Sequence, residues 1–212
     1  MAIFVNEKTK VLVQGLTGGQ GRFHGLRNRD YGTQVVAGVT PGKAGQDVEG
    51  IPVFDTVESA VAATGATASF IAVPPKAAPA AILEAARAGI GFVVCITEGV
   101  PAQDKARVFA TLQRDFPKTR LLGPNCPGII SPGKCNIGIT AGEIAALPTA
   151  KGPNVGIVSR SGTSTYQALY ELKQRNIGVS TCIGIGGDPV PAHLSSIVWP
   201  SFNLIPKRMR SS

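Results

Sequence analysis

Residues 10–21 of the 212-residue chain read Lys-Val-Leu-Val-Gln-Gly-Leu-Thr-Gly-Gly-Gln-Gly. The apolar run from Lys10 to Gln14 predicts a short buried strand, and the turn from Gly15 to Gly21 joins it to a predicted helix that ends at about Asp30. Such a turn directs backbone N–H groups and the positive end of a helix dipole at one point, where a phosphate can bind. The spacing is GxxGxxG rather than the dinucleotide pattern GxGxxG, so a purely structural tight turn is the alternative.

The following hundred residues continue this alternation of apolar runs and helical stretches. Asp55, with Glu58 three residues later, resembles a capping box at the start of one helix, and Gly65 ends that helix. Further strands are predicted at 34–39, 69–73, 92–97 and 120–122, and helices at 56–63, 76–88 and 102–116. Strict alternation predicts an α/β fold with a parallel, doubly wound sheet. We therefore expect a Rossmann-like domain over residues 1–125.

A second unit follows the Pro/Gly-rich stretches 123–128 and 131–134. The pattern predicts a strand at 155–158, a turn at 159–162, a helix at 163–174 and a strand at 179–185. One βαβ unit cannot cover both faces of its own sheet. We therefore expect a second domain, residues 126–192, that is incomplete and leaves apolar surface uncovered.

Two charged side chains are predicted at the ligand-binding edge of the first sheet. A site for a nicotinamide dinucleotide would have an acid near the end of the second strand, but the chain has Lys43 there. A cation beside a phosphate turn favours a ligand with extra phosphate, such as coenzyme A (CoA). Glu98 follows a third strand at the same edge. The alternatives are a solvated loop lysine and a helix-capping carboxylate.

The segment from Ser159 to Thr163 is a second strand-to-helix turn, and its small hydroxyl residues suit a phosphoryl group. A simple serine N-cap is the alternative. The segment is not GxSxG and has no evident acid or base partner, which argues against a serine hydrolase. The Walker pattern is absent as well. Of the two histidines, His24 is expected to be structural and His193 to have no role.

Composition excludes several classes of protein. The formal charge is +8, but lysines and arginines are dispersed and aromatic residues make up only 6%, so nucleic acid is not the expected partner. No apolar run is long enough for a membrane helix, and no targeting peptide is visible, so a cytoplasmic location is expected. Four cysteines without a CxxC pair predict reduced thiols and no metal site.

The chain changes character near residue 192. All 26 glycines precede that point, and Trp199, the only tryptophan, follows it. We expect residues 193–212 to be an aberrant tail produced by a shift of reading frame, with an ordinary disordered tail as the alternative.

Several segments together carry a resemblance to a known family: 14–21, 38–43, 65–69, 96–99, 123–128, 156–163 and 184–189. They resemble the alpha subunit of succinate–CoA ligase (succinyl-CoA synthetase), from the start of the chain to about Ala192. The resemblance implies a CoA-binding Rossmann-like domain followed by a flavodoxin-like ligase domain, incomplete here. It also implies a beta subunit as partner, which would bring ATP or GTP with magnesium.

The resemblance also assigns residues to roles. Tyr166 falls where the family places a tyrosine that meets substrate in the partner subunit, and Ser161 and Gly162 would cradle a phosphoryl group. The residues implied to bind CoA are Thr17, Gly18, Gly19, Gln20, Lys43, Ile96, Thr97 and Glu98. The chain departs from the family pattern at Gly19, where a larger or polar residue is usual, and at Ala44, where glycine is usual.

The family forms succinyl-CoA through a phosphohistidine in a loop well beyond residue 192, and this chain has no matching histidine. After residue 189 the family continues in a pattern like Gly-Thr-Ser-Phe-Ile-Asp-Cys-Leu-Ala-Leu-Phe. A shift of one base can turn codons for that pattern into those for residues 192–202. The leading interpretation is thus a truncated alpha subunit of an acid–thiol ligase, ADP- or GDP-forming, that is inactive alone and belongs to the tricarboxylic acid cycle. A non-catalytic CoA-binding module and a malate- or citrate-directed CoA ligase stay open, as does the mitochondrial matrix in a eukaryote.

Overall fold

A computed structural model describes residues 3–187 as two β-sheets and five α-helices. The predicted tail at 193–212 lies outside the described residues. The strands are β1 Lys10–Gln14, β2 Gln34–Val39, β3 Asp47–Val48, β4 Ile51–Phe54, β5 Ala68–Ile71, β6 Phe92–Cys95, β7 Arg120–Leu122, β8 Gly128–Ser131, β9 Cys135–Gly138, β10 Asn154–Ser159 and β11 Gly178–Gly184. The helices are α1 Gly19–Asp30, α2 Val57–Thr64, α3 Ala78–Arg87, α4 Ala102–Asp115 and α5 Gly162–Gln174.

The first sheet has the order β3-β4-β2-β1-β5-β6-β7. Its strands are parallel except for β3, which pairs antiparallel with β4. The two directions of winding diverge from the central β1, as expected of a Rossmann-like fold. The predicted parallel, doubly wound sheet is thereby confirmed, whereas the short hairpin of β3 and β4 was not predicted.

Helices α2, α3 and α4 cover one face of the first sheet. Their small apolar side chains, such as Ala60, Ala85 and Val108, pack with inward-facing strand residues such as Leu12 and Val93 in one buried cluster. Alanine-rich helix faces let the helices approach the strands closely, and this burial supplies most of their stability.

The other face of the first sheet is covered by the second sheet and by Leu16, which precedes α1. Ile129, Ile137 and Ile183 from the second sheet belong to the same buried cluster as Val11 and Phe70 from the first. All three isoleucines are fully buried. The two sheets therefore share a hydrophobic core, and residues after 126 do not pack only on themselves.

The second sheet has the order β10-β11-β8-β9, in which only β10 and β11 are parallel. The hairpin of β8 and β9 was not predicted: Ser131-Pro-Gly-Lys134 is its turn, closed by a bond from the Lys134 N–H to the Ser131 carbonyl. Helix α5 packs on this sheet through Leu169. Strand β10 lies at one edge of this sheet and is only partly buried.

The start of α2 corrects a prediction. Asp55 does not cap the helix, because Thr56 is the N-cap and its hydroxyl accepts a hydrogen bond from the Ser59 N–H at 3.2 Å. Asp55 instead accepts hydrogen bonds from the backbone of residues 43 and 44. The predicted end of the helix is confirmed, since Gly65 adopts the left-handed conformation there.

Two kinds of feature are absent from residues 3–187. No helix in this part of the chain is long and apolar enough to cross a membrane. The same residues contain no group of three or more histidine, cysteine or acidic side chains able to hold a metal ion.

Candidate functional site

The glycine turn joins β1 to α1 in a tight loop. The Gly15 N–H donates to the Val39 carbonyl at 2.8 Å, and the Gly18 N–H donates to the Gly15 carbonyl at 2.9 Å. Gly15 has a φ of +88°, a conformation that favours glycine. The turn is therefore fixed to the ends of two parallel strands.

Close packing explains two of the glycines in this turn. A Cβ added to Gly21 would lie 2.0 Å from the Gly15 carbonyl oxygen, and one added to Gly15 would lie 2.6 Å from the Ala72 oxygen. By contrast, a Cβ on Gly19 would meet nothing within 4 Å. Side chains are thus excluded at Gly15 and Gly21, whereas the departure from the family pattern at Gly19 leaves open space.

The first backbone N–H groups of helix α1 have no side-chain cap, and the residues at this end of the helix are exposed. Gly18 is the N-cap and has no side chain to accept their hydrogen bonds, and the first turn contains no acidic residue. The first N–H groups of a helix have no partner within the helix. Together with the helix dipole, they form a place where an anion can bind.

A cleft of about 450 Å³ lies beside this turn. Its walls are the segments that follow β1, β5 and β6, at the carboxyl ends of three neighbouring parallel strands, where open α/β sheets bind ligands. The lining residues are Gly18, Gly19, Gln20, Ala72, Val73, Pro74, Pro75, Ile96, Thr97 and Glu98. The structure thus brings together six of the eight residues predicted to bind CoA.

The other two predicted residues, Thr17 and Lys43, do not line the cleft. The Thr17 hydroxyl lies 3.1 Å from the Thr40 hydroxyl, which ties the glycine turn to the loop after β2. Two hydroxyls that share one hydrogen bond leave one proton available for an anion. Lys43 is exposed in that loop, and its ammonium makes no hydrogen bond or ion pair within residues 3–187.

The far wall of the cleft combines the predicted Thr97 with Pro74 and Pro75, which were not predicted. Thr97 is nearly buried and donates its hydroxyl proton to the Val73 carbonyl at 2.8 Å, so its oxygen can only accept from a ligand. Pro74 and Pro75 follow β5 directly. Their position at a strand end was a usable signal, because the same rule had pointed to Glu98.

The second predicted turn is built differently. Ser161 is the N-cap of α5, and its hydroxyl accepts from the Ser164 N–H at 3.2 Å, so the serine-cap alternative describes its role in the structure. A Cβ on Gly162 would meet nothing within 4 Å. The Tyr166 hydroxyl donates to the Ile139 carbonyl at 3.3 Å. None of these three predicted residues lines the cleft beside the glycine turn.

Burial favours the neutral forms of four titratable side chains, two of which are cysteines of the second sheet. Burial and the neighbouring Arg27 lower the pKa of the half-buried His24. Burial raises the pKa of the Tyr166 hydroxyl and raises that of the Cys135 thiol to about 11 and that of the Cys182 thiol to about 12. All four cysteines are buried, and none forms a disulfide. A thiol that stays protonated is a poor nucleophile, so these cysteines suit a structural role.

The segment that forms the cleft matches a known domain family. Residues 6–99 match the family described as CoA binding domain. This range contains the glycine turn, the Lys43 loop and the walls after β5 and β6. Fold and cleft together define the class of the protein: it contains a Rossmann-like CoA-binding domain.

Curated relatives match nearly the whole chain. The chain is 53% identical over 207 residues to the alpha subunit of the ADP-forming succinate–CoA ligase of Aquifex aeolicus, covering 98% of this chain and 66% of that protein. It is 53% identical over 203 residues to the corresponding subunit of Staphylococcus aureus strain Mu50, covering 96% of this chain and 65% of that protein. The chain is thus homologous to succinate–CoA ligase alpha subunits over nearly its whole length, and it spans slightly less than two thirds of the length of these relatives. A coverage of 98% extends past Ala192, where the resemblance was expected to end.

Solved structures support the same fold. ATP citrate lyase from Methanothrix soehngenii, in complex with citrate and coenzyme A, matches with a TM-score of 0.75 at 25% identity, over 89% of this chain and 33% of that one. A dinucleotide-forming acetyl-coenzyme A synthetase from Ca. Korarchaeum cryptofilum matches with a TM-score of 0.68 at 20% identity, over 85% of this chain and 39% of that one. The latter likeness concerns the fold alone.

Proposed function

We propose that this chain binds CoA in the cleft after β1, β5 and β6 and serves as the CoA-binding part of a succinate–CoA ligase. The observation that carries the proposal is the convergence of three strand-end segments on one cleft, within the range that matches the CoA binding domain. The reaction class would be acid–thiol ligation, in which the CoA thiol attacks the carbonyl of an acyl phosphate and the thioester forms as phosphate leaves.

The chain's own groups suit the phosphates of this ligand. The free N–H groups at the start of α1 would donate to phosphate oxygens, as would one hydroxyl of the Thr17 and Thr40 pair. The Lys43 ammonium, which has no partner among residues 3–187, would add charge neutralisation. Gly19 leaves space where the ligand must approach the backbone. Thr97 and the prolines after β5 would contact the less charged parts of CoA.

The second turn would serve the acyl and phosphoryl side of the reaction. Ser161 and Gly162 would place the start of α5 against a phosphoryl group, and Tyr166 would meet substrate held by the partner. A raised pKa keeps the tyrosine hydroxyl protonated, and therefore able to donate, at neutral pH. The loop between the sheets links the two sites, because the Asn125 N–H donates to the Thr97 carbonyl at 3.0 Å.

A beta subunit would supply the nucleotide site, with ATP or GTP and magnesium. Relatives at 53% identity are ADP-forming succinate–CoA ligases, which favours succinate over the citrate of the enzyme matched at 25%. None of the 212 residues matches the phosphorylated histidine that the family resemblance implies. We therefore expect no acid-labile label on this chain from γ-labelled ATP in the presence of a family beta subunit. Such a label would show that another histidine can replace the one implied by the family.

Calorimetry with CoA tests the cleft. Lys43→Ala should weaken CoA binding by about 1–2 kcal/mol, the loss of one charge-assisted contact. Lys151→Ala is the matched control, since Lys151 is exposed in the second unit and does not line the cleft. Equal affinity of the Lys43→Ala variant and the parent, or no binding by the parent, would contradict the proposal.

A further inference from the structure

The loop that carries Lys43 is held by a carboxylate that has no direct contact with the cleft. The N–H groups of Lys43 and Ala44 both donate to the same oxygen, Oδ1 of Asp55, each at 2.9 Å. Asp55 follows β4, and its neighbour Phe54 accepts a hydrogen bond from the Thr40 N–H at 2.9 Å. The loop is therefore fixed to the end of β4 at both of its sides.

The same loop is also tied to the glycine turn through the Thr17 and Thr40 hydroxyls. The position of Lys43 relative to the phosphate-binding amides thus depends on two anchors, Thr40 on one side and Asp55 on the other. A lysine side chain loses much conformational entropy when it is ordered on a ligand. Fixing its backbone beforehand lowers the cost of bringing the ammonium to a phosphate.

We propose that Asp55 is a positioning residue for CoA binding, which holds the backbone at Lys43 and Ala44 so that the Lys43 ammonium reaches a phosphate of the ligand. This inference rests on the proposed CoA site. Simple electrostatics predicts the opposite effect of Asp55 on CoA affinity, because a carboxylate near a phosphate site repels the ligand. If Asp55 acted only through its charge, its removal would strengthen CoA binding. If it acts as a positioning residue, its removal weakens binding.

The test is calorimetry of CoA binding by the full 212-residue chain. Asp55→Ala is expected to bind CoA about three- to tenfold more weakly than the parent, the scale of losing hydrogen bonds to a charged group. Asp55→Asn keeps an oxygen acceptor while removing the charge, and it should bind within about twofold of the parent. Asp47→Ala is the matched control: its carboxylate accepts from the Gly50 N–H, outside the Lys43 loop. It removes the same charge and should not weaken binding.

A double-mutant comparison separates positioning from a general structural effect. Asp55→Ala should cause no further loss of affinity in a Lys43→Ala background, because the group that it positions is gone. An equal loss in both backgrounds, or binding by Asp55→Ala as tight as that of the parent, would overturn the inference. If Asp55→Ala does not fold, Asp55→Glu displaces the acceptor by one methylene and should weaken binding in the same way.

Different binding results would reject the proposed CoA site and the role of Asp55. If the parent does not bind CoA, the proposed site is wrong and the role of Asp55 is wrong with it. If the parent binds CoA and Lys43→Ala weakens binding but Asp55→Ala does not, the site stands and only the role of Asp55 is rejected.

Discussion

Two strand–turn–helix units, β1 with α1 and β10 with α5, differ in whether a side chain accepts hydrogen bonds from the first amides of the helix. In the second unit the Ser161 hydroxyl accepts from the Ser164 N–H, and the Ser159 hydroxyl accepts from the Ser161 N–H. In the first unit the N-cap is Gly18, which offers no side-chain acceptor. The second turn therefore satisfies part of its donors internally, whereas the first leaves them for a ligand.

The same contrast appears in the glycines of the two turns. Gly21 packs directly against the backbone of its own turn, whereas Gly162 has open space around its Cα. The first turn thus has a backbone fixed by close packing and helix N–H groups without a side-chain acceptor. The second turn has space around its glycine and a serine that accepts from its helix. This difference indicates that the first turn is the better-organised anion site of the two.

The largest expected effect comes from adding a methyl group at Gly21 of the first turn, and the same change at Gly162 of the second turn is the comparison. Gly21→Ala should lower the free energy of unfolding by about 3 kcal/mol or more and abolish CoA binding, because the new Cβ would overlap the Gly15 carbonyl oxygen. Gly162→Ala should change the free energy of unfolding by less than about 1 kcal/mol, because the space around Gly162 is open. Urea unfolding of both variants measures the difference. Similar losses in the two would remove the contrast.

A smaller effect is expected when α1 receives a cap like that of α5. Gly18→Ser would place a hydroxyl at the N-cap, where it competes with the ligand for the helix donors. CoA binding should weaken about tenfold, or about 1.4 kcal/mol, while the free energy of unfolding changes by only a few tenths of a kcal/mol. Calorimetry checks the affinity, with Ser161→Gly as the control that should leave it unchanged. Unaltered CoA affinity of Gly18→Ser would mean that the open N-terminus of α1 is not used.

Removing the existing caps tests the second turn. Ser161→Ala and Thr56→Ala each delete a side-chain acceptor at a helix start, in α5 and α2 respectively. Each should lower the free energy of unfolding by about 1 kcal/mol. Thermal or urea unfolding gives the comparison. If Ser161→Ala costs nothing while Thr56→Ala costs the expected amount, the donors of α5 are not satisfied by Ser161.

The smallest expected effects are pH-dependent and opposite in the two units. The lowered pKa of His24 means that its stabilising contribution is present above the ordinary histidine value of 6.5 and is lost as pH falls through the folded-state pKa. The raised pKa of Tyr166 means that its contribution is present below the ordinary tyrosine value of 10.0 and is lost as pH rises through the folded-state pKa.

Urea unfolding across pH 5 to 11 should therefore separate two variants. The parent should lose a little stability at acid pH, and His24→Gln should not show that loss. The parent should also lose a little stability at alkaline pH, and Tyr166→Phe should not show that loss. Both side chains are only half-buried, so solvent screening keeps each effect small. Parallel pH profiles of parent and variants would show that neither group titrates differently in the folded state.

The sequence was sufficient for the elements whose signal is local. β1, β2 and β7 begin and end where predicted, because an apolar run and its flanking turn residues set a strand without outside help. The hairpin of β8 and β9 was missed because its Pro-Gly turn was interpreted as a linker between domains. Apolar runs on both sides of that turn were the available signal.

The site was predictable where it follows from strand ends and not where it depends on distant contacts. The glycine turn and Glu98 were singled out by their positions at strand ends, and the family resemblance added Ile96 and Thr97. The role of Asp55 was not, because its sequence context suggests a helix cap while its acceptor oxygen is used by amides more than ten residues earlier in the chain. Thr40 was missed for the same reason, since only the folded chain brings its hydroxyl to Thr17.

The core shared by the two sheets has a consequence for how the chain folds as it is made. The face of the first sheet that contains Val11 and Phe70 is covered by Ile137 and Ile183, which are synthesised much later. At roughly 5–20 residues per second, a ribosome needs several seconds to proceed from β7 to β11. During that interval the nascent first sheet has an uncovered apolar face. Contacts so distant in sequence also slow folding, so this face is where a nascent-chain chaperone would be expected to bind.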